Sequence, residues 1–300
     1  MLRSASVIWL SGPGRKRLNQ PSIDPILSFS PQSLGVQKAV LQLARLYPEA
    51  RDRERFEERW SRFLSSEPLV KEVLWRAGAD QLAFLTESLL PTETDARRPI
   101  LLVVGNPAPH SVLNGLPFSF EADQREHRFW RGLSQAGLLS FDLEPTQVGP
   151  IAELNEQRKA ALYSLSYHSP FRIGIAVYFS MPSPAAAPPW AGVAGLRRLF
   201  GITALNVIAR AEEQRLAEMI RNFNAGSGAV IAFQRDAYEG IRLQTDPPYS
   251  LRGVLDSLLQ GTCKLERRIP VFCGPPTRLM QGVPARASLA RISTRLTETS

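Results

Sequence analysis

The chain has 300 residues, 44% hydrophobic and 21% charged, which is ample for a core of its own and unlike a wholly disordered or collagen-like composition. Thirty-six basic side chains against 28 acidic ones leave a net charge of +8, carried mostly by arginine, and this directs attention to phosphate-bearing partners. With two cysteines (Cys263, Cys273) and three histidines (His110, His127, His168), a disulfide framework and a four-cysteine zinc or iron–sulfur site are excluded.

The first 34 residues hold Gly12, Pro13, Gly14, Pro21, Pro25 and Pro31 without any apolar period, and read as a loose arm with a basic start. From there to residue 95 the pattern predicts a helical N-terminal region. Val36, Val40, Leu43, Ala44 and Tyr47 share one helical face; Glu49–Leu64 carries Phe56, Trp60 and Phe63 at spacings of four and three; Pro68–Ala77 and Asp80–Leu90 read as two more helices. Beyond a polar connector at Thr92–Arg98, residues 96–300 follow a different grammar. Ile100–Val104, Ile173–Phe179, Ala229–Phe233 and Ile269–Cys273 are continuous apolar runs, as in strands buried on both faces of a parallel sheet. Helical patterns at Asp123–Leu139, Leu196–Asn222 and Leu251–Leu259 separate them. The alternation predicts an α/β domain: three layers, α/β/α, around a central four-stranded parallel sheet. Ligands of such folds bind at the carboxyl ends of the strands. Cys273 reads as a small buried hydrophobe on the last strand.

No GxxxxGK[ST] loop is present, and Gly12-Pro-Gly14 neither follows a strand nor opens a helix, so nucleotide-binding loops have no support. No metal or cofactor is expected. No apolar run approaches the roughly 20 residues that span a bilayer, and the cysteine usage suits a reducing, intracellular compartment, cytoplasmic or nuclear. A monomer is the expected state.

The loops after the strands carry the chemistry. After the first comes Val104-Gly-Asn-Pro-Ala-Pro-His-Ser-Val-Leu-Asn-Gly-Leu-Pro-Phe118, then Phe129-Trp130, Leu133 and Ala136-Gly-Leu138. This stretch resembles the first motif of the uracil-DNA glycosylase superfamily, and is most similar to its single-strand-selective monofunctional and mismatch-specific branches. Gln234–Gly240 is similar to the family's G-x-x-A-x-E segment, and Pro275–Met280 stands where the family has its H-P-S-P loop. The resemblance spans about Arg98–Arg291 and implies a monofunctional DNA glycosylase that hydrolyses the N-glycosidic bond of an extruded deaminated or damaged base, with DNA as partner.

Such a cleavage passes through an oxocarbenium-like sugar and an anionic base. It needs a polar group to hold water, donors for the departing base and a flat surface for stacking. The resemblance gives Asn106 the water-holding role, in a loop shaped by Gly105 and Pro107. Phe118 is the stacking candidate and His110 a candidate general acid, whereas His127 and His168 read as structural. Arg278 would grip phosphate beside Leu279 as a wedge, and Arg267 and Arg268 extend a basic tail in which six arginines face two glutamates between Glu266 and Ser300. No lysine stands in the motif loops, so strand-cleaving Schiff-base chemistry is not expected.

Three positions depart from the family pattern, one being Val104 where the first motif normally opens on Gly, with Gly105 one residue later. The fourth-strand loop opens on Gly274-Pro275 instead of a His or Asn, and the base-reading Asn of the second strand aligns with Phe179 or Ser180, which makes Ser180 a candidate base contact. These departures keep open a catalytically inactive relative that binds nucleic acid. An unrelated α/β enzyme for a small anionic metabolite is the third alternative.

Overall fold

The computed structural model describes residues 25–121, 125–142, 151–185, 187–266 and 269–298. In chain order the elements are strands β1 (Leu27–Ser33) and β2 (Val36–Gln42), helices α1 (Leu43–Leu46), α2 (Ala50–Leu64) and α3 (Val70–Val73), and strands β3 (Leu74–Gly78) and β4 (Gln81–Leu89). Then come β5 (Arg98–Val104), α4 (Pro109–Asn114), α5 (Arg128–Gln135), α6 (Ile151–Tyr163), β6 (Phe171–Val177), α7 (Gly192–Phe200), α8 (Ile202–Asn224) and β7 (Ala229–Ala232). The chain closes with α9 (Arg235–Ile241), α10 (Leu251–Asp256), β8 (Gln260–Thr262), β9 (Pro270–Cys273), a 3-10 turn (Thr277–Leu279) and α11 (Val283–Glu298).

The protein is a mixed α/β structure around one nine-stranded sheet, ordered β1-β2-β4-β6-β5-β7-β9-β8 with β3 on β4. This corrects the expected sheet of four parallel strands. The four apolar runs do become β5, β6, β7 and β9, and these pair in parallel. Five antiparallel pairings extend them on both sides, so the sheet as a whole is mostly antiparallel.

The helical N-terminal region is corrected as well. Only Glu49–Leu64 is a long helix, observed as α2. Val36–Gln42 and the Asp80–Leu90 segment are strands, Pro68–Ala77 divides between α3 and β3, and β1 occupies the end of the expected loose arm, whose first 24 residues lie outside the described ones. The physical reason is burial. Residues Leu82–Phe84 and Thr86–Leu89 of β4 are all buried, so the strand shows none of the alternation that distinguishes a half-buried strand from a helix.

Side chains alternate across the parallel strands and feed two cores. Ile100, Leu102, Ile173, Ile175 and Ile231 meet Phe129 and Leu133 of α5 and Leu289 and Ile292 of α11. Leu101, Val103, Ala176, Val230 and Val271 meet Leu216, Ile220 and Phe223 of α8 and Tyr238 of α9. A third core joins β2–β4 to α2, α7 and the start of α8 through Phe56, Phe63, Phe84, Leu196 and Phe200. Cys273 is buried on β9 as expected, and burial pushes its thiol up to about 12.

Candidate active site

At the carboxyl ends of β5, β7 and β9 the loops enclose a cavity of about 990 Å³. Its wall takes Gly105, Asn106, Pro107, His110 and Phe118 from the segment after β5, Gln234 from the end of β7, and Thr277 and Arg278 from the turn after β9. Three separate strand ends therefore converge on one space, as parallel strands require.

The first loop is held from below by the segment after β6. The Tyr178 N–H donates to the carbonyls of Val104 (2.7 Å) and Gly105 (3.0 Å), and the Ser183 N–H donates to that of Pro107 (3.1 Å). Asn106 is oriented by the same segment: its Nδ2 donates to Ser183 Oγ at 2.6 Å, while that Oγ also accepts the Gly192 N–H at 2.8 Å. Among the described residues no donor engages Asn106 Oδ1. A side chain tied through its nitrogen, with its acceptor left over at a cavity wall, is suited to hold a water molecule. Gly105 lets the Gln234 amide lie against the loop backbone: a Cβ there would stand 1.9 Å from Gln234 Oε1 and displace that side chain.

Phe118 closes the loop with φ of 55°, a left-handed backbone unfavourable for an aromatic residue. Its carbonyl accepts the Trp130 indole N–H at 3.0 Å, and its ring lies 4.8 Å from that of His127 and 4.5 Å from that of Phe129. Phe129 and Trp130 are core residues. Phe118 and His127 thus share an aromatic wall. His127 caps α5, its Nδ1 accepting the Phe129 N–H at 3.1 Å, and burial lowers it to about 4, so its ring is neutral with the proton on Nε2. The sequence assigns His127 to structure; the cap agrees, and the cavity wall adds a surface the sequence did not indicate. Burial also lowers His110, opposed by the charge of Glu67, and its ring lies 4.9 Å from Phe120.

At the rim, Glu121 receives the Arg128 side chain on both oxygens, at 2.9 and 3.0 Å, and this pairing draws its carboxyl down to about 2. Arg128 Nη1 also donates to the Arg278 carbonyl at 3.3 Å, tying the first loop to the turn after β9. Arg278 itself is exposed, and Leu279 is half-buried on that turn and lies outside the cavity lining. Gly274 is packed under Phe233, where a Cβ would come within 2.8 Å of the ring, so this loop has no room for a side-chain donor at that point. Arg267 and Arg268 lie outside the described residues.

Ser180 is not brought to the cavity. It is fully buried; its N–H (2.8 Å) and hydroxyl both donate to Glu212 Oε1, and Glu212 Oε2 pairs with Arg215 Nε at 2.6 Å. The expected base contact is thus replaced by a network that anchors the strand end to α8.

The residue that sequence reasoning missed is Glu87 of β4. It lines the same cavity while only 2% exposed, its Oε2 has no hydrogen-bond partner, and burial raises its carboxyl to about 8. Gln234 was also missed as an individual residue, although the segment it opens was read as a motif.

A second cavity, about 960 Å³, opens at the amino ends of the strands beside Arg97, Arg98 and Arg172. Its arginines are committed to carbonyls of Leu165, Leu296, Gly228 and Phe223, so they serve to close that end of the sheet. Among the described residues there is no group of three or more His, Cys, Asp or Glu able to hold a metal ion, and no helix long and apolar enough to cross a membrane. Compared with protein-family models and with curated proteins, the chain matches none.

Proposed function

We propose that the protein is a monofunctional DNA glycosylase that resembles the uracil-DNA glycosylase superfamily and hydrolyses the N-glycosidic bond of an extruded, deaminated or damaged base. The observation that carries this reading is the placement of Asn106 and Phe118 on one cavity wall, with the Asn106 amide nitrogen engaged by Ser183 and its oxygen left for water. Supporting it, the parallel strands lie in the order β6-β5-β7-β9 with carboxyl ends at the cavity, where ligands of parallel sheets bind.

In this mechanism the base swings out of the strand and rests against the wall of Phe118 and His127. The bond from C1′ to the base nitrogen breaks, its electron pair leaving with the base. Water held on Asn106 Oδ1 adds to the cationic sugar and the proton it loses passes to the departed base anion, so that the products are an abasic sugar and the neutral free base. Neutral His127 and the Gln234 amide offer donors toward the leaving base. Arg278 would hold a backbone phosphate and half-buried Leu279 would fill the space the base vacates. No Schiff base forms, so the strand stays intact.

Base release from oligonucleotides carrying uracil, hypoxanthine, xanthine or hydroxymethyluracil tests this. Asn106→Ala is expected to slow release by about 100-fold or more, with DNA affinity little changed. Gly274 favours a second reading, a relative that binds nucleic acid without cleaving it, because no donor can stand there. DNA binding by the wild type without release from any of these bases would select it.

A further inference from the structure

The sheet register places Glu87 at the first loop. Ser88 pairs with Ala176, which pairs with Val103. Glu87 is one residue further toward the carboxyl ends, level with the point where Val104 gives way to Gly105 and Asn106. Its side chain lines the cavity that those residues line.

A buried carboxyl with an unpartnered oxygen, as at Glu87 Oε2, is expensive, because desolvation costs several kcal/mol that this oxygen recovers from no protein donor. Such an oxygen calls for a water, an ion or a ligand that the protein itself does not supply, and Glu87 differs from the other unpartnered buried atoms at Thr86, Asn155 and Asn224 in lining the cavity where a ligand would sit. The surrounding charges do not satisfy it. On the elements packed against β4, His110 of α4 is neutral or titrates low, and Lys159 of α6 pairs with Glu156 at 2.6 Å. Of the other charged or titratable groups on the cavity wall, Glu121 and Arg128 pair with each other, Glu67 accepts the Ala185 N–H at 2.9 Å, His127 is neutral, and Arg278 is exposed at the rim.

We propose that Glu87 is the residue that reads the base in this cavity, its neutral carboxyl offering one O–H donor and one carbonyl acceptor to a lactam edge, a ring N–H beside a ring C=O. This rests on the glycosidic reading of the site and names its substrate class: bases such as uracil and hypoxanthine, whose deaminated edge carries that pair. Two antiparallel hydrogen bonds would form, the acid O–H to the ring carbonyl and the ring N–H to the acid carbonyl. Above its midpoint near pH 8 the carboxylate keeps two acceptors and loses the donor.

The test compares binding of free uracil and hypoxanthine with 3-methyluracil and 1-methylhypoxanthine, which lack the ring N–H, by calorimetry or ligand-observed NMR on the full chain. The wild type should prefer the unmethylated bases by about tenfold or more. Glu87→Gln, which keeps a donor and an acceptor, should retain that preference, and Glu87→Leu should abolish it. Wild-type affinity for the bases should weaken as pH rises through 8, with the O–H donor to the ring carbonyl lost, whereas Glu87→Gln should show no such loss. If Glu87→Leu fails to fold, the pH comparison with Glu87→Gln decides. A wild type without preference, a Glu87→Leu protein that keeps it, or identical pH profiles for wild type and Glu87→Gln would overturn the proposal. Parallel release assays separate the two readings: release that is unaffected by Glu87→Leu, in rate and selectivity, overturns this inference alone. A Glu87-dependent preference without any release overturns only the glycosylase reading.

Discussion

At the scale of single residues, the site combines ionisable groups whose environments push them in opposite directions, and stability should record this. Burial raises Glu87 from 4.5 to about 8, so the folded state keeps a proton that the unfolded chain releases. Its contribution is therefore neutral below pH 4.5, grows more destabilising as pH rises from there, and levels off above pH 8. At 1.36 kcal/mol for each pH unit the full penalty is roughly 5 kcal/mol. His127, lowered to about 4 by burial, acts the other way: its contribution is complete above pH 6.5 and is lost as pH falls toward 4. Between pH 5 and pH 8, chemical denaturation should show the wild type losing several kcal/mol relative to Glu87→Gln, the gain from His127 being common to both proteins. Equal slopes in the two proteins would mean that Glu87 is solvated in the native state. The same residue illustrates how a candidate site is read from sequence. Asn106, Phe118 and Arg278 were legible because one short loop and one turn carry them. Ser180 was misread, since its commitment to Glu212 depends on a helix thirty residues away.

At the scale of elements, the seam between the N-terminal strands and the parallel ones is narrow: β4 and β6 pair only through Ser88↔Ala176 and Leu89↔Ile175. What fastens the two sides is the third core. Fully buried Phe56 of α2 stands with ring centroids 5.3 Å from Tyr47, 5.9 Å from Trp60 and 5.6 Å from Phe200 of α7. The Tyr47 hydroxyl donates to the Phe200 carbonyl at 2.7 Å. Phe56→Ala should cost about 3–5 kcal/mol, the range for opening a core cavity of that size. It should also reduce amide-exchange protection in β2 and β4 more than in β5 and β7, because its contacts lie on the N-terminal side. Uniform loss of protection would show that the sheet opens as one unit. This element-level arrangement also explains what was readable. Four unbroken apolar runs announced parallel strands, since both their faces are covered. The heavily buried β4 looks the same as a helix of similar length, with Leu82, Leu85 and Leu89 at helical spacing, and Glu87 was lost from view with it.

At the scale of the whole molecule, the net charge of +8 would act on the proposed DNA partner through counterion release and not through any single contact. Much of the arginine is consumed internally. Arg97, Arg98 and Arg172 bond carbonyls at the amino ends of the strands, and Arg128, Arg215 and Arg242 pair with Glu121, Glu212 and Glu239. Arg98 and Arg172 therefore hold part of the surplus at the far end of the sheet, while the ion-paired arginines are already cancelled in the net figure. Arg278 differs, exposed at the rim of the cavity on the turn after β9, with its main chain held by Arg128. If the proposed orientation is right, it meets a phosphate next to the extruded base, and its removal has a quantitative signature. The logarithm of DNA affinity should fall linearly with the logarithm of salt concentration, by about 0.9 for each phosphate neutralised on a duplex. Arg278→Ala should lower that slope by about one and weaken binding to all sequences alike. Arg45→Ala, at the N-terminal end of the sheet and away from the cavity, should leave the slope unchanged. Titrations of a labelled oligonucleotide between low and physiological salt would measure both. A slope that is the same in Arg278→Ala and wild type would move the phosphate track off this turn and leave the cavity without its proposed strand.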